Sequence, residues 1–291
     1  YVCNRSYENR PDGVHVTVVT LDEEYVTEFG AYGEADGEFM WPTSIALDSK
    51  GNVYLADEWL NRISKFTSDG EYVSKWGTAG SGDGELNGPA GIQIDADDNM
   101  YVVDAGNSRV QKFSIDGKYI SQFGSKGSED GQFNMPWGIA LDNDGRIYVA
   151  DWRNDRIQIF SAEGKWEASI GSTGSGIGQL NRPSGVTVDK DGDIYVSDWM
   201  NNRVQVFAPD GRYITQFLGE AELSKWGRDK LASNPDMIRQ RSLAFANQPG
   251  FEQNLSHPCA VKIDPDGKIV IIDHTRNRLQ VYIKEEEPAL V

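Results

Sequence analysis

Cysteine is almost missing from this chain: Cys3 and Cys259 are the only two in 291 residues. Two thiols cannot build a cross-linked framework. A chain of this length does not need one, because roughly 75 % of its unfolded surface is buried on folding. Histidine is nearly as scarce, with His15, His257 and His274 alone. Positive charge is short, 28 basic against 45 acidic residues for a net −17. Nucleic-acid binding needs a basic face, so no nucleic-acid partner is expected. No apolar run approaches the roughly 18 residues of a membrane span, which predicts a soluble chain without one. The Walker A, Gly-x-Ser-x-Gly and His-Glu-x-x-His patterns are absent as well. A hydrophobic content of 38 %, with 11 % aromatics, is still too rich for general disorder.

What the chain does have is a repeat. Four segments starting at Phe29, Trp76, Phe123 and Ile170 align without a gap, each 47 residues after the last. Pro42, Pro89, Pro136 and Pro183 keep the period, as do Asp57, Asp104, Asp151 and Asp198. Pro258 and Asp273 continue it after a 28-residue insertion. Within each unit, apolar runs of four to six residues, rich in β-branched and aromatic side chains, alternate with Asp-Gly and Asn turns. No useful helical period runs through the repeat. Four short antiparallel strands per unit, repeated, predict an all-β fold, a β-propeller of four-stranded blades.

The residues that carry this pattern are Pro136–Asp142 (Pro-x-Gly-Ile-x-x-Asp), Ile147–Asp151 (Ile-Tyr-Val-x-Asp) and Asn201–Phe207 (Asn-x-Arg-Val-Gln-x-Phe). They resemble the NHL-repeat propellers, over almost the whole chain apart from residues 219–257. The resemblance implies one six-bladed propeller over 1–291. Its function is left open between ligand-binding scaffolds, protein- or RNA-binding modules and metal-dependent lyases. Tyr1 aligns with the second strand of a blade and Lys284–Val291 lacks an outer-strand pattern, so twenty-two strands are expected, two short of six full blades. Strands upstream of Tyr1 are expected to complete the ring.

Repetition separates structural residues from functional candidates. Each repeat aspartate precedes an arginine by five residues (Arg62, Arg109, Arg156, Arg203, Arg278), and fivefold recurrence marks these pairs as structural. The acidic turns, such as Asp189-Lys190-Asp191-Gly192, hint at calcium loops but lack the bidentate glutamate and read as hairpin turns. Trp76 and Trp166 fill positions otherwise held by Phe, Tyr or Ile and belong to the core. Trp41, Trp59, Trp137, Trp152 and Trp199 break the repeat in loops that open on one face. Broad rings at such positions predict ligand contact, with Arg182, His257 and His274 as polar anchors.

His15, His257 and His274 map to neighbouring blades on that face and are candidate zinc ligands. The lyase members of the resembled family imply an alternative, a zinc-dependent lyase or hydrolase similar to peptidyl-hydroxyglycine amidating lyases. Arg153, Arg182 and Tyr7 are its catalytic candidates. Zinc and calcium are thus the two cations suggested, and a small-molecule or peptide-like ligand is the expected partner. A protein-interaction scaffold is a further alternative. The insertion at 219–257 reads as helical, with an N-terminus at Asn234-Pro235-Asp236, and as a lid over the pocket. Two sequons, at Asn4 and Asn254, matter only for a secreted protein, and neither compartment nor oligomeric state can be read.

Overall fold

A computed structural model describes residues 1–5, 13–22, 24–220, 228–229, 232–234, 236, 239–240, 243 and 253–284. Six antiparallel sheets follow one another along the chain as blades of a propeller. Blade 1 comprises Val2–Asn4, His15–Val19 and Tyr25–Phe29, and blade 2 comprises Pro42–Leu47, Val53–Asp57, Arg62–Phe66 and Tyr72–Trp76. Blades 3 to 5 repeat that four-stranded pattern from Pro89, Pro136 and Pro183. Blade 6 has three strands, Pro258–Ile263, Lys268–Asp273 and Arg278–Ile283. The twenty-two strands expected from the sequence are the twenty-two blade strands described.

The Pro-x-Gly motif has a steric cause. In blades 2 to 6 the proline strand is the inner one, and successive inner strands approach closely around the axis. A Cβ on Gly91 would lie 2.5 Å from the Trp137 carbonyl oxygen, and one on Gly138 would lie 2.6 Å from that of Ser184. Blade 2 carries Ser44 at this place and uses its hydroxyl instead, which accepts from the Ile92 N–H at 3.1 Å.

Further out, the last residue of one outer strand packs on the third strand of the next blade. Phe29 meets Phe66 at 5.0 Å between ring centroids, Trp76 meets Phe113 at 4.8 Å, and Phe123 meets Phe160 at 4.7 Å. Trp76 and Trp166 lie in these inter-blade clusters as expected. Burial of such rings, each stabilising by roughly 1.5–3 kcal/mol, makes every blade depend on its neighbours.

Each repeat aspartate is fully buried, and it locks a blade to the connection that leads into it. In blade 3, Asp104 accepts from the Asn87 N–H (2.7 Å), Asn107 Nδ2 (2.8 Å), Arg109 Nε (2.8 Å) and Gln111 Nε2 (3.1 Å). Arg109 then donates to the Gly82 and Glu85 carbonyls of the incoming loop. Asp151 and Asp198 repeat the set with Arg156 and Gln158, and with Arg203 and Gln205. A buried carboxylate is tolerable only when its lone pairs are filled in this way. Even so, burial holds the Asp151 and Asp198 carboxyls above the ordinary aspartate value, although the Asn and Arg bonds oppose it.

Blade 2 departs from the lock. Ser64 stands where blades 3 to 6 have glutamine, its hydroxyl is buried without a partner, and Arg62 Nε is likewise unpaired. Arg62 keeps only the carbonyl contacts, to Glu34, Ala35 and Glu38.

On the opposite face, hairpin turns are held by aspartates whose balance runs the other way. Asp95 accepts from the Asn99 N–H (2.7 Å) and faces Lys112 Nζ at 3.3 Å. Burial alone would raise its pKa, but these bonds outweigh it and hold the carboxyl below its ordinary value. In blade 5 the cation that meets the acidic turn is the Lys284 ammonium, within 2.8–2.9 Å of Asp189, Asp191 and Asp193.

The insertion leaves and returns at one point, where the Leu255 N–H donates to the Leu218 carbonyl at 2.7 Å. Arg228, Asp229, Ala232, Asp236, Arg239, Gln240 and Leu243 are helical. Asn234 caps as expected, accepting from the Asp236 N–H at 3.1 Å. The remainder of 221–252 lies outside the described residues, including Leu223, Trp226 and Leu231, so the lid expectation has no structural account. Among the described residues no helix is long and apolar enough to cross a membrane.

Three stability measurements check this account. Gly138→Ala should lower the urea midpoint by the equivalent of roughly 1–3 kcal/mol, since two backbones must part to admit a methyl group. Ser64→Gln should raise it by about 1 kcal/mol by completing the blade 2 lock. Asp95→Asn should destabilise at pH 7. A depressed folded pKa stabilises above the unfolded value and is lost as pH falls through the folded one, so wild type and variant should converge only below the ordinary aspartate value of about 3.9.

Candidate functional site

The register pairs Pro136 with Asp151, and Asp151 with Arg156, in one line at one end of blade 4. The same line recurs in blades 2, 5 and 6. The variable loop residues therefore share one face of the ring. After Asp151 and Asp198 the chain makes single 3-10 turns, Trp152–Asn154 and Trp199–Asn201, each followed by a left-handed residue, Asp155 or Asn202. Trp152 and Trp199 open equivalent turns on adjacent blades, and their rings lie 6.0 Å apart.

The residue before each repeat proline is also left-handed in blades 4 to 6: Met135, Arg182 and His257 have φ of 54°. That conformation costs a non-glycine residue on the order of 1 kcal/mol or more. In blades 5 and 6 an anchor from the preceding blade offsets it. Asp155 Oδ1 accepts from the Arg182 N–H at 2.7 Å, and Asn202 Oδ1 from the His257 N–H at 2.9 Å. His257 thereby comes within 5.3 Å of Trp199, and its Nδ1 lies 3.0 Å from the Thr275 hydroxyl. Arg182 stacks over Trp152 at 4.5 Å, and Arg153 lies 5.6 Å from the same ring. Trp152, Trp199, His257, Arg182 and Arg153 thus form one continuous strip across blades 4 to 6.

A second group sits on blades 1 to 3. Trp41 meets Trp59 edge to face at 5.6 Å, and Arg5 covers Trp41 at 4.1 Å. Trp41, Glu58, Trp59, Asn61, Asn87 and Gly88 line an open cleft of about 380 Å³. Burial pushes the Glu58 carboxyl above the ordinary range, with Arg5, 3.4 Å away, opposing the shift. Glu58, Asn61 and Asn87 carry no motif. Only the five-tryptophan count pointed toward this place.

The remaining candidates disperse. Trp137 is half-buried and packs against the core between blades 3 and 4. His274 is exposed, and its carbonyl accepts from the Asn277 N–H. His15 turns to Glu28, 3.7 Å away. His15, His257 and His274 do not converge. Among the described residues no three His, Cys, Asp or Glu side chains are placed to hold a metal ion, so this donor set does not fit zinc. The acidic turn of blade 5 does not fit calcium, because an ammonium already fills it. Tyr7 lies outside the described residues. Cys3 and Cys259 are both free, half-buried thiols, and burial pushes Cys259 up to about 12 and Cys3 upward as well, which disfavours the reactive thiolate.

Comparison with known proteins adds the following. The NHL repeat model matches residues 133–160 and 180–207, and a model described as a 6-bladed beta-propeller matches residues 49–124. No curated protein matches by sequence. Among solved structures, a catalytically inactive virginiamycin B lyase from Staphylococcus aureus with quinupristin is 14 % identical, with a TM-score of 0.57. That match covers 92 % of this chain and 77 % of the lyase. A streptogramin B lyase structure is also 14 % identical, with a TM-score of 0.59, over 98 % of this chain and 83 % of that one. A Bacteroides thetaiotaomicron protein of unknown function is 18 % identical, with a TM-score of 0.63, over 94 % of this chain and 65 % of that one. At these identities the likeness is one of fold. The period, the six sheets and the matched models agree: the chain carries NHL repeats and folds as a six-bladed β-propeller.

Proposed function

We propose that the protein binds a small or peptide-like ligand on the face that carries the variable loops, with the Trp152–Trp199–His257 strip as its platform. The supporting observation is that strip. Two indole rings and an imidazole line up across three blades at positions where the fold itself requires no aromatic residue, as Gly88, Glu58 and Ala105 show at equivalent places. Rings held by rigid turns bury area at little entropic cost on binding. Arg182 and Arg153 add charge-bearing, planar contacts at the edge of the platform. Stacking on indole is worth about 0.5–1 kcal/mol for an exposed guanidinium. Trp41 and Trp59, with the cleft they line, would extend the surface toward blade 2.

Saturation-transfer NMR with a mixture of aromatic amino acids, short peptides and small heterocycles tests this reading. Compounds that bind the wild type should weaken tenfold or more, about 1.4 kcal/mol, in a Trp152→Ala/Trp199→Ala double variant. Affinities unchanged in that variant would assign the rings to loop packing alone.

A further inference from the structure

The five inner strands, Pro42–Leu47, Pro89–Ile94, Pro136–Leu141, Pro183–Val188 and Pro258–Ile263, wall the axial channel. Their sequences, PTSIAL, PAGIQI, PWGIAL, PSGVTV and PCAVKI, contain no acid and a single charged side chain, Lys262. In a chain with 45 acidic residues that is a marked local exclusion. Lys262 stands four residues beyond its proline, roughly 13 Å along the strand from the loop-bearing face. The residues at the same level of the other strands are Ala46, Gln93, Ala140 and Thr187, none of them ionisable.

The Lys262 ammonium reaches across the axis. Its Nζ donates to Gln93 Oε1 at 3.2 Å, from blade 6 to blade 3, which stand opposite each other in a ring of six. That neutral amide is its one hydrogen-bond partner among the described residues, and no carboxylate lies within ion-pair distance there. The side chain is exposed. The protein around it still disfavours the charged form and pushes its pKa below that of an ordinary lysine. Every other lysine placed close to carboxylates here, Lys65, Lys75, Lys112 and Lys284, is paired with one. An ammonium bonded only to a neutral amide, in a passage without counter-charge, keeps donors for an incoming anion.

We propose that Lys262 is the anchor of an anion site inside the axial channel, suited to the carboxylate of a small organic acid, with Gln93 as the second polar contact. The site is separate from the Trp152–Trp199 platform and stands or falls independently of it. Binding replaces the Lys262–Gln93 bond with a charge-assisted one to the carboxylate and leaves the Gln93 amide N–H groups free to donate to its other oxygen.

Calorimetric titration of the full chain with benzoate and with benzamide, its neutral isostere, tests the assignment. The wild type should favour benzoate at least tenfold. Lys262→Met should abolish that preference without changing benzamide binding, and Lys262→Arg should restore part of it. No preference in the wild type, or no benzoate binding at all, would overturn the proposal. So would a preference that survives in Lys262→Met, and its loss in Arg153→Gln/Arg182→Gln would assign the charge to the loop-bearing face. Should Lys262→Met fail to fold, acetylation of wild-type Lys262 by acetic anhydride, followed by peptide mass mapping, decides the matter. Saturating benzoate, but not benzamide, should slow the reaction threefold or more, and equal rates would refute the site.

Discussion

One buried carboxylate in each of blades 2 to 6 organises this ring. Asp104, Asp151 and Asp198 each sit at the end of a second strand with no exposure to water, and each gathers donors from its own turn and from the loop that enters the blade. Ionised oxygen in a low-dielectric setting is costly unless its lone pairs are filled, and here amides, a guanidinium and a glutamine fill them. The arginine that meets the carboxylate then grips carbonyls of the preceding connection. The result is a cross-link without covalent bonds, repeated at a point where a hydrophobic core could not reach. The loops above it inherit a defined backbone, so side chains on the outer face start from fixed positions.

Much of the fold was legible because the chain carries its own controls. Four gapless periods expose what every blade needs, and the recurring Asp and Arg were identified as structural on that ground alone. The Pro-x-Gly step was also visible, although its cause, the approach of neighbouring inner strands to within contact of a would-be Cβ, needed coordinates. The glutamines at 111, 158, 205 and 280 keep the period too, and Gln205 stands in the Asn-x-Arg-Val-Gln-x-Phe motif, but their bond to the buried aspartate is visible only in three dimensions.

The candidate face was only partly legible. Tryptophans that break a repeat mark its loops, and those on blades 4 and 5 lie 6.0 Å apart. The histidine grouping failed for a geometric reason. Sharing a face, even on neighbouring blades, does not bring side chains together: His15 turns to Glu28 and His257 to Thr275. Lys262 was invisible for the converse reason: its reach to Gln93 spans 169 residues and depends on ring closure, which no local pattern encodes. The charge balance also changes meaning. Acids are spent in buried locks and hairpin turns, while Arg153, Arg182 and Lys262 have no ion-pair partner among the described residues.

The left-handed residue ahead of the repeat proline in blades 3, 5 and 6 carries a consequence for how such a surface diversifies. Its backbone is clamped from the neighbouring blade through an N–H, a group every residue there possesses, so the clamp is indifferent to the side chain. Glycine, arginine and histidine already occupy this socket in one molecule. New chemistry can therefore be installed there one blade at a time, with the conformational cost met in advance and the core untouched. The ring behaves as a panel of interchangeable fittings on an invariant frame.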